Sequence, residues 1–498
     1  MIKKILIANR GEIAHRIMKA CREMGIVSVA IYSEADKNAL HVRRADESYL
    51  IGPSPASESY LHKEKIINLA KEIKADAIHP GYGFLSENPE FIRLVEKSGI
   101  IFIGPSSKSV EMMGEKTSAR RLMKLNNVPI VPGTTEPITS IEDGKKVAAE
   151  IGYPVMLKAA AGGGGKGMRK IDRDEEFEES FNRAKNESLK AFGNDDVYIE
   201  KFIEHPKHIE VQILADKFGN YIHLFERECS VQRRHQKVIE EAPSIAVDNE
   251  TREKITKAAI KAAQACGYYN AGTIEFLMDK NKEFYFLEMN TRLQVEHPVT
   301  EMISGIDLVK QQIKIASGEK LAIRQDELRI HGHAVECRIY AEDVDNNFAP
   351  SIGKIIHHRL TSGPGIRIDR GIDVQSEVPI FYDPMLSKVI AWGIDREEAL
   401  ARMKRALGEY QISGVITNIP VFNWILKQKA FLDGTFDINF LDNEFLPLVP
   451  DIWKEKLSEN YEEIAAILGA LLKQKEMHIN LSKNCIEENN GWRAQLYD

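Results

Sequence analysis

The sequence predicts an α/β and α+β protein of three domains followed by a helical tail, and three observations carry that reading. Strand-like and helix-like segments alternate over the first 103 residues. Hairpin-like strand pairs follow in the middle of the chain, and short strands broken by Gly and Pro occupy most of the rest.

The first unit opens with the apolar run Lys4 to Ala8, then Asn9-Arg10-Gly11, then Ile13, Ile17, Met18, Cys21 and Met24 at helical spacing, ending at Gly25. Further strands are expected at Val27 to Tyr32, Ala75 to His79 and Ile100 to Ile103, with helices near Lys63 to Glu72 and Glu90 to Ser98. This alternation predicts an open parallel sheet of Rossmann type. Dinucleotide binding is set aside, because ANRGEIA lacks the G-x-G-x-x-G that brings backbone up to a pyrophosphate.

Beyond residue 115 a helix is expected at Thr117 to Asn126, then a joint at Pro129 and Pro132, then a strand carrying Val155 to Lys158. Paired strands follow at His208 to Leu214 with Tyr221 to Glu226, and at Thr273 to Met278 with Glu283 to Met289. Residues 331 to 447 read as a β-rich third domain with a helix at Arg396 to Glu409. In the tail, Ile464, Ile467, Leu468, Leu471 and Leu472 form one helical stripe, expected to pack on an apolar surface.

Hydrophobic content of 43% supports several cores, and a net charge of −7 with both signs interspersed gives no support to nucleic-acid or membrane binding. The five cysteines are scattered without a C-x-x-C pair, which suits a reducing compartment. MIKKILIANRG lacks signal-peptide character, and no run approaches the roughly 18 apolar residues of a membrane span, so a cytoplasmic protein is expected.

Ala159 to Met168 reads AAAGGGGKGM, with Gly163, Gly164, Gly165 and Gly167 around Lys166. A Walker loop is excluded, because Lys166 precedes Gly167 instead of Ser/Thr and Ala160 stands where the first glycine is needed. MRKI and the turn-like DRDEE follow, so the glycines are expected to join two antiparallel strands as a flap that closes on phosphate. In GTIEFLMDKNKEFYFLEMNTR a four-residue turn, Asp279 to Lys282, sets Met278 opposite Glu283 and Glu275 opposite Phe286. Glu275, Glu288 and Asn290 then share a face, with the two carboxylates diagonal neighbours able to hold Mg²⁺.

The segment Asn290 to Glu301, NTRLQVEHPVTE, resembles the ATP-grasp enzymes of the biotin carboxylase family. The similarity extends to Ile7 to Ala14, His79 to Asn88, the glycine flap, Gln232 to Pro243 and His333 to Arg338, and covers about residues 1 to 447. It implies a pre-ATP-grasp domain at 1–114, an ATP-grasp domain at 115–330 with a lid at about 132–203, a biotin carboxylase C-terminal domain at 331–447, and a tail at 448–498.

The resemblance further implies that ATP sits between flap and sheet. Lys116, Lys158 and His208 would contact phosphates or ribose, Glu200, Lys201 and Ile203 would line the adenine site, and Gln232 and His235 would complete the nucleotide contacts. Glu275 and Glu288, with Asn290 as a further candidate, would hold Mg²⁺ or Mn²⁺. Arg292, Gln294 and the Val295 backbone would bind bicarbonate, which attacks the γ-phosphate to give carboxyphosphate, while Lys237 offsets the accumulating charge. Glu296 would act as general base, Arg338 would stabilise the biotin ureido enolate, and Tyr82 would reach the biotin pocket. Arg16 and Glu23 match positions of a homodimer interface.

No A-M-K-M segment is present and no carboxyltransferase domain is recognisable, so the expected partners are a biotin carboxyl carrier and a carboxyltransferase subunit. The tail resembles extensions on stand-alone pyruvate carboxylase subunits, which implies pyruvate over acetyl-CoA or propionyl-CoA as final acceptor. The alternatives are an ATP-grasp ligase that makes an acyl phosphate for an amine nucleophile, and a catalytically silent nucleotide-binding regulator.

Overall fold

A computed structural model describes residues 2–134, 136–159, 168–192, 195–449 and 466–474. Residues 1–443 form one compact unit and 444–498 a second. Within the second, residues 466–474 are helical and Ile467, Leu468, Leu471 and Leu472 are exposed. No helix among the described residues is long and apolar enough to cross a membrane. The four described cysteines, Cys21, Cys229, Cys266 and Cys337, are buried and unbridged.

The first sheet is parallel throughout, in the order Glu47–Gly52, Val27–Ser33, Lys4–Ile7, Ala77–His79, Ile101–Phe102. Its inner strands are apolar on both faces because helices cover both. The helix Pro89–Lys97 starts where the motif requires: Asn88 caps the Phe91 amide and Pro89 occupies the first turn. The strand Glu47–Gly52 was not expected, since its half-exposed edge position leaves ESYLIG without an apolar run. Central placement of Lys4–Ile7 and Ala77–His79 brings the loops after them together. Asn9 Nδ2 donates to the carbonyls of Pro80 and Tyr82, both at 2.7 Å. Gly81 has φ +63°, and a Cβ there would meet Asn9 Nδ2 at 2.9 Å, so only glycine fits the crossing of these two motifs.

The second sheet is antiparallel and has eight strands, in the order Phe284–Asn290, Asn270–Met278, Lys207–Ala215, Tyr221–Arg233, Gln236–Ala242, His333–Tyr340, Met385–Gly393, Ile366–Arg370. The last three come from the β-rich segment after residue 331, so that segment continues the central sheet through the edge of Gln236–Ala242. Alternation sorts one strand clearly. Ile209, Val211 and Ile213 join Ile274, Phe276 and Phe286 in a core under the helix Asn249–Ala265, while His208, Glu210 and Gln212 face the other way.

Of several bulges, two position side chains of the polar face. The hairpin loop is one residue longer than predicted, with Met278 opposite Phe284 and Phe276 opposite Phe286. The predicted pairing of Met278 with Glu283 is therefore corrected, and an extra residue, Leu287, then restores the face so that Glu275 lies directly opposite Glu288 instead of diagonally. In the next hairpin Val231 pairs with Ile239 but Gln232 pairs with Lys237, so Val238 is extra. Without that bulge Lys237 would share the face of Ile239; with it, Lys237 turns to the face of Glu240.

A third sheet, of three strands, has the order Met168–Ile171, Val155–Ala159, Val197–Lys201. The glycine flap, Gly163, Gly164, Gly165, Lys166 and Gly167, lies outside the described residues. The strands it joins are antiparallel, with Lys158 opposite Met168, as the sequence predicted. The helix Phe177–Phe192 was not anticipated from its polar sequence. Phe177, Phe181 and Ala184, at helical spacing, bury against Val155, Leu157 and Ile199.

Candidate active site

Directly paired positions across three strand boundaries set Glu288, Glu275, Glu210 and Arg227 in one row on the polar face. Like charges placed opposite one another repel, and the row is stabilised by cations inserted into it. Lys237 Nζ donates to Glu210 Oε2 at 2.5 Å, Glu275 Oε1 at 2.7 Å, Glu296 Oε1 at 2.7 Å and Gln294 Oε1 at 3.2 Å. Arg227 is wholly buried and binds Glu210, Gln212, Thr273 and Thr300. Burial opposes the charge of Lys237, yet its three carboxylate partners raise its pKa well above the ordinary lysine value.

The loop from Thr291 to Glu296 rises from the end of the strand Phe284–Asn290. Arg292 is held from both sides: its Nε donates to Glu87 Oε2 at 2.8 Å and its NH2 to Asn290 Oδ1 at 3.0 Å. Glu87 Oε1 also accepts the Thr291 amide at 2.9 Å, fastening this loop to the first sheet's His79 to Asn88 segment. Gln294 Nε2 donates to Glu275 Oε1 at 3.0 Å. Glu296 is nearly inaccessible and bridges two cations, accepting from Lys237 at one oxygen and from Arg338 NH2 at the other, 2.9 Å away. Burial would raise the Glu296 pKa, but Lys237, Arg338 and Arg227 hold it well below the usual carboxylate range. Arg338 Nε donates to Glu240 Oε1 at 2.5 Å. Burial pushes the Glu240 carboxyl up to about 7 against the pull of Arg338, with the Glu296 charge adding to the rise.

Of the nucleotide-site candidates, His208 Nε2 lies 3.0 Å from Glu275 Oε2, and Gln232 Nε2 is 2.8 Å from His208 Nδ1. Lys158 and Arg120 both pair with Glu200, the latter at 2.6 Å. The Lys201 ammonium is tied to the carbonyls of Gly152, at 2.6 Å, and Tyr153, at 3.2 Å, and its main-chain amide donates to the Pro132 carbonyl at 2.8 Å. Ile203 is half-buried just beyond that strand, and Lys116 opens the helix Lys116–Leu125. His235 stands apart from the cluster, exposed at a hairpin tip with φ +64°. Tyr82 donates to Glu12, beside Lys388. Arg16 is buried against Glu301, at 3.0 Å, and Asp307, at 2.8 Å, of its own chain, whereas Glu23 is largely exposed beside Lys310.

Family descriptions match along nearly the whole of the first unit: "Biotin carboxylase, N-terminal domain" at residues 1–110, "Carbamoyl-phosphate synthase L chain, ATP binding domain" at 115–324 and "Biotin carboxylase C-terminal domain" at 336–443. A pyruvate carboxylase subunit of Methanothermobacter thermautotrophicus is 50% identical over 477 residues, covering 96% of this chain and 97% of the relative. The chain belongs to the biotin carboxylase family. The fold agrees. The biotin carboxylase domain dimer of Hydrogenobacter thermophilus 2-oxoglutarate carboxylase, solved with MgADP, ADP and bicarbonate, has a TM-score of 0.83 at 50% identity, covering 91% of this chain and 99% of that one. The Campylobacter jejuni biotin carboxylase–β,γ-ATP complex has a TM-score of 0.84 at 48% identity, covering 89% and 99%.

As a biotin carboxylase, the chain is a ligase-type enzyme of ATP-dependent biotin carboxylation. Glu275 and Glu288 stand directly opposite each other on adjacent strands, where their carboxylates offer the kind of oxygen donors that a hard dication takes. Asn290 uses Oδ1 to accept from Arg292 and Nδ2 to donate to Glu275, at 2.9 Å, so ligation through Oδ1 would exchange the arginine bond. Sequence reasoning missed Glu87, Glu210, Arg227, Glu240 and Lys388. Glu210 was signalled by the alternation in HIEVQ, and Glu87 by its place in the GYGFLSEN motif; Glu240 and Lys388 acquire meaning only through strand neighbours distant in sequence.

Proposed function

We propose that this chain carries out the first half-reaction of a multi-subunit carboxylase, activating bicarbonate with ATP through carboxyphosphate and carboxylating biotin held on a separate carrier polypeptide. The observation that carries the reading is Glu296, a buried carboxylate ionised at neutral pH and gripped between Lys237 and Arg338. Arg292, Gln294 and the Val295 backbone bind the one-carbon anion, the guanidinium fork offering paired donors to its oxygens. Glu296 takes the bicarbonate proton, Lys237 offsets charge during phosphoryl transfer, and Arg338 stabilises the ureido enolate while Tyr82 lines the biotin pocket.

Mg²⁺ or Mn²⁺, held by Glu275, Glu288 and in part Asn290, supplies neutralisation of phosphate charge. Lys116, Lys158, His208, Gln232, His235 and the lid glycines bind the nucleotide; Glu200 and the main chain at Lys201 and Ile203 line the adenine. The reading uses a pre-ATP-grasp domain at 1–114, an ATP-grasp domain at 115–330, a C-terminal domain at 331–447 and a tail. A biotin carrier, a separate carboxyltransferase, a homodimeric state presenting Glu23 and a cytoplasmic setting complete it. Pyruvate is favoured over acyl-CoA as final acceptor, supported by similarity to the Methanothermobacter pyruvate carboxylase component along 97% of that relative.

ATP hydrolysis by the purified chain, measured with and without bicarbonate and free biotin, tests the proposal. Turnover is expected to require both, and Glu296→Gln is expected to lower it about 10²- to 10⁴-fold with nucleotide affinity retained. Turnover indifferent to biotin, or stimulated by an amine nucleophile, overturns the reading in favour of another ATP-grasp ligase.

A further inference from the structure

Lys388 lies on the strand Met385–Gly393, directly opposite Arg338 on one neighbour and Asp369 on the other, and none of it is exposed. A wholly buried ammonium is costly unless it is paired, and the partners of this one are specific. Its Nζ donates to the Val295 carbonyl at 2.7 Å, sits 3.2 Å from Glu12 Oε1, and lies 5.9 Å from the centre of the Tyr82 ring, whose hydroxyl donates to the same Glu12 oxygen.

The Val295 carbonyl belongs to the peptide that joins Val295 to Glu296. Glu296 occupies the position just before the helix His297–Ser304 with φ −80° and ψ 10°, and its side chain makes no capping bond, so its direction depends on how that peptide is turned. Lys388 grips the peptide from beneath while Lys237 and Arg338 grip the carboxylate at its far end.

We propose that Lys388 is a positioning residue for the reaction: by holding the Val295 carbonyl it fixes the peptide that directs Glu296 between Lys237 and Arg338, and through Glu12 it holds the Tyr82 phenol against the same wall. This rests on the functional reading above. Burial works against its charge, but Glu12, Glu336 and Asp369 keep Lys388 protonated, so it remains a donor across the working pH range. A displacement of about 1 Å in a catalytic group is enough to slow turnover by roughly 10²-fold.

The test uses the full chain in three forms: wild type, Glu12→Gln, and Glu12→Gln with Lys388→Met, which removes the contacting pair of charges together while Asp369 keeps Arg367, at 2.6 Å, and Glu336 keeps the nearby charge of Arg338. The pair is expected to melt close to the single variant and to keep its KM for MgATP within about twofold, while kcat for bicarbonate- and biotin-dependent ATP hydrolysis falls about 10- to 100-fold below that of Glu12→Gln. Lys388→Gln in place of Lys388→Met, a shorter neutral donor, is expected to recover part of the loss. A pair whose kcat matches Glu12→Gln overturns the proposal; if the Met pair does not fold, the Gln pair decides, and a kcat within about threefold of Glu12→Gln overturns it. Wild-type chain lacking biotin-dependent turnover overturns the functional reading instead.

Discussion

The two large sheets handle charge in opposite ways. The parallel sheet is built from strands apolar on both faces, such as KILI at Lys4–Ile7, and its polar groups act from loops beyond the strand ends, as Asn9, Tyr82 and Glu87 do. The antiparallel sheet keeps hydrocarbon on one face and lines the other with ion-paired side chains that belong to the strands themselves, from Glu275 and Glu210 through Arg227 to Arg338 and Lys388. Loops in the first case deliver side chains to a neighbour's site. Strands in the second make the site, and hold it within the hydrogen-bonded ladder. The lesson is that buried charge is affordable where the backbone fixes every partner, because removing one member leaves the rest unpaired.

The sharpest way to break this contrast is Lys237→Met, which strips one cation from three buried carboxylates. A loss of about 3–5 kcal/mol at neutral pH is expected in denaturant titrations. Its pH dependence identifies the cause. Glu275 and Glu296 have folded pKa values depressed below the ordinary 4.5, so their pairing contributes stability that is fully present above that value and lost as pH falls through the depressed values. In the variant those carboxylates protonate more readily, so the gap to wild type should narrow as pH drops below about 5. A gap independent of pH would assign the loss to packing instead.

A middle-sized effect is expected from Glu240→Gln. The folded carboxyl titrates near 7, above its ordinary 4.5, so its ionisation costs stability progressively between those values and fully above pH 7. The glutamine variant should therefore gain relative to the wild type as pH rises through the raised value, with no such gain near pH 4. Unfolding curves at the two pH values check it. The smallest effect belongs to the other sheet: Ile31→Val, in the apolar core, should cost about 1 kcal/mol with no pH dependence.

The fold was legible wherever local periodicity decides. Lys63–Glu72 and Arg396–Glu409 form over the residues predicted, and the glycine flap joins the antiparallel strands expected of it. What stayed hidden depends on residues far apart. Nothing within QKVIEEA says that Val238 is a bulge and that Lys237 therefore faces Glu275, because the bulge is defined by pairing with Val231 and Gln232. Glu275 and Glu288 were placed on one face from a register one residue off, and the unforeseen Leu287 bulge turned diagonal neighbours into opposite ones. Continuation of the central sheet by His333–Tyr340 was equally invisible, since strand adjacency is a property of edges, not of composition. Phe177–Phe192 was missed because three buried side chains in a polar run are a weak local signal.

The contact of Lys388 with Glu12 joins residues 376 positions apart, 388 minus 12. A ribosome making this chain releases the amino-terminal carboxylate early and its lysine partner only after most of the polypeptide has emerged. Until then Glu12 and the Val295 carbonyl lack this partner, so a chain cut before the strand Met385–Gly393 cannot complete the contact.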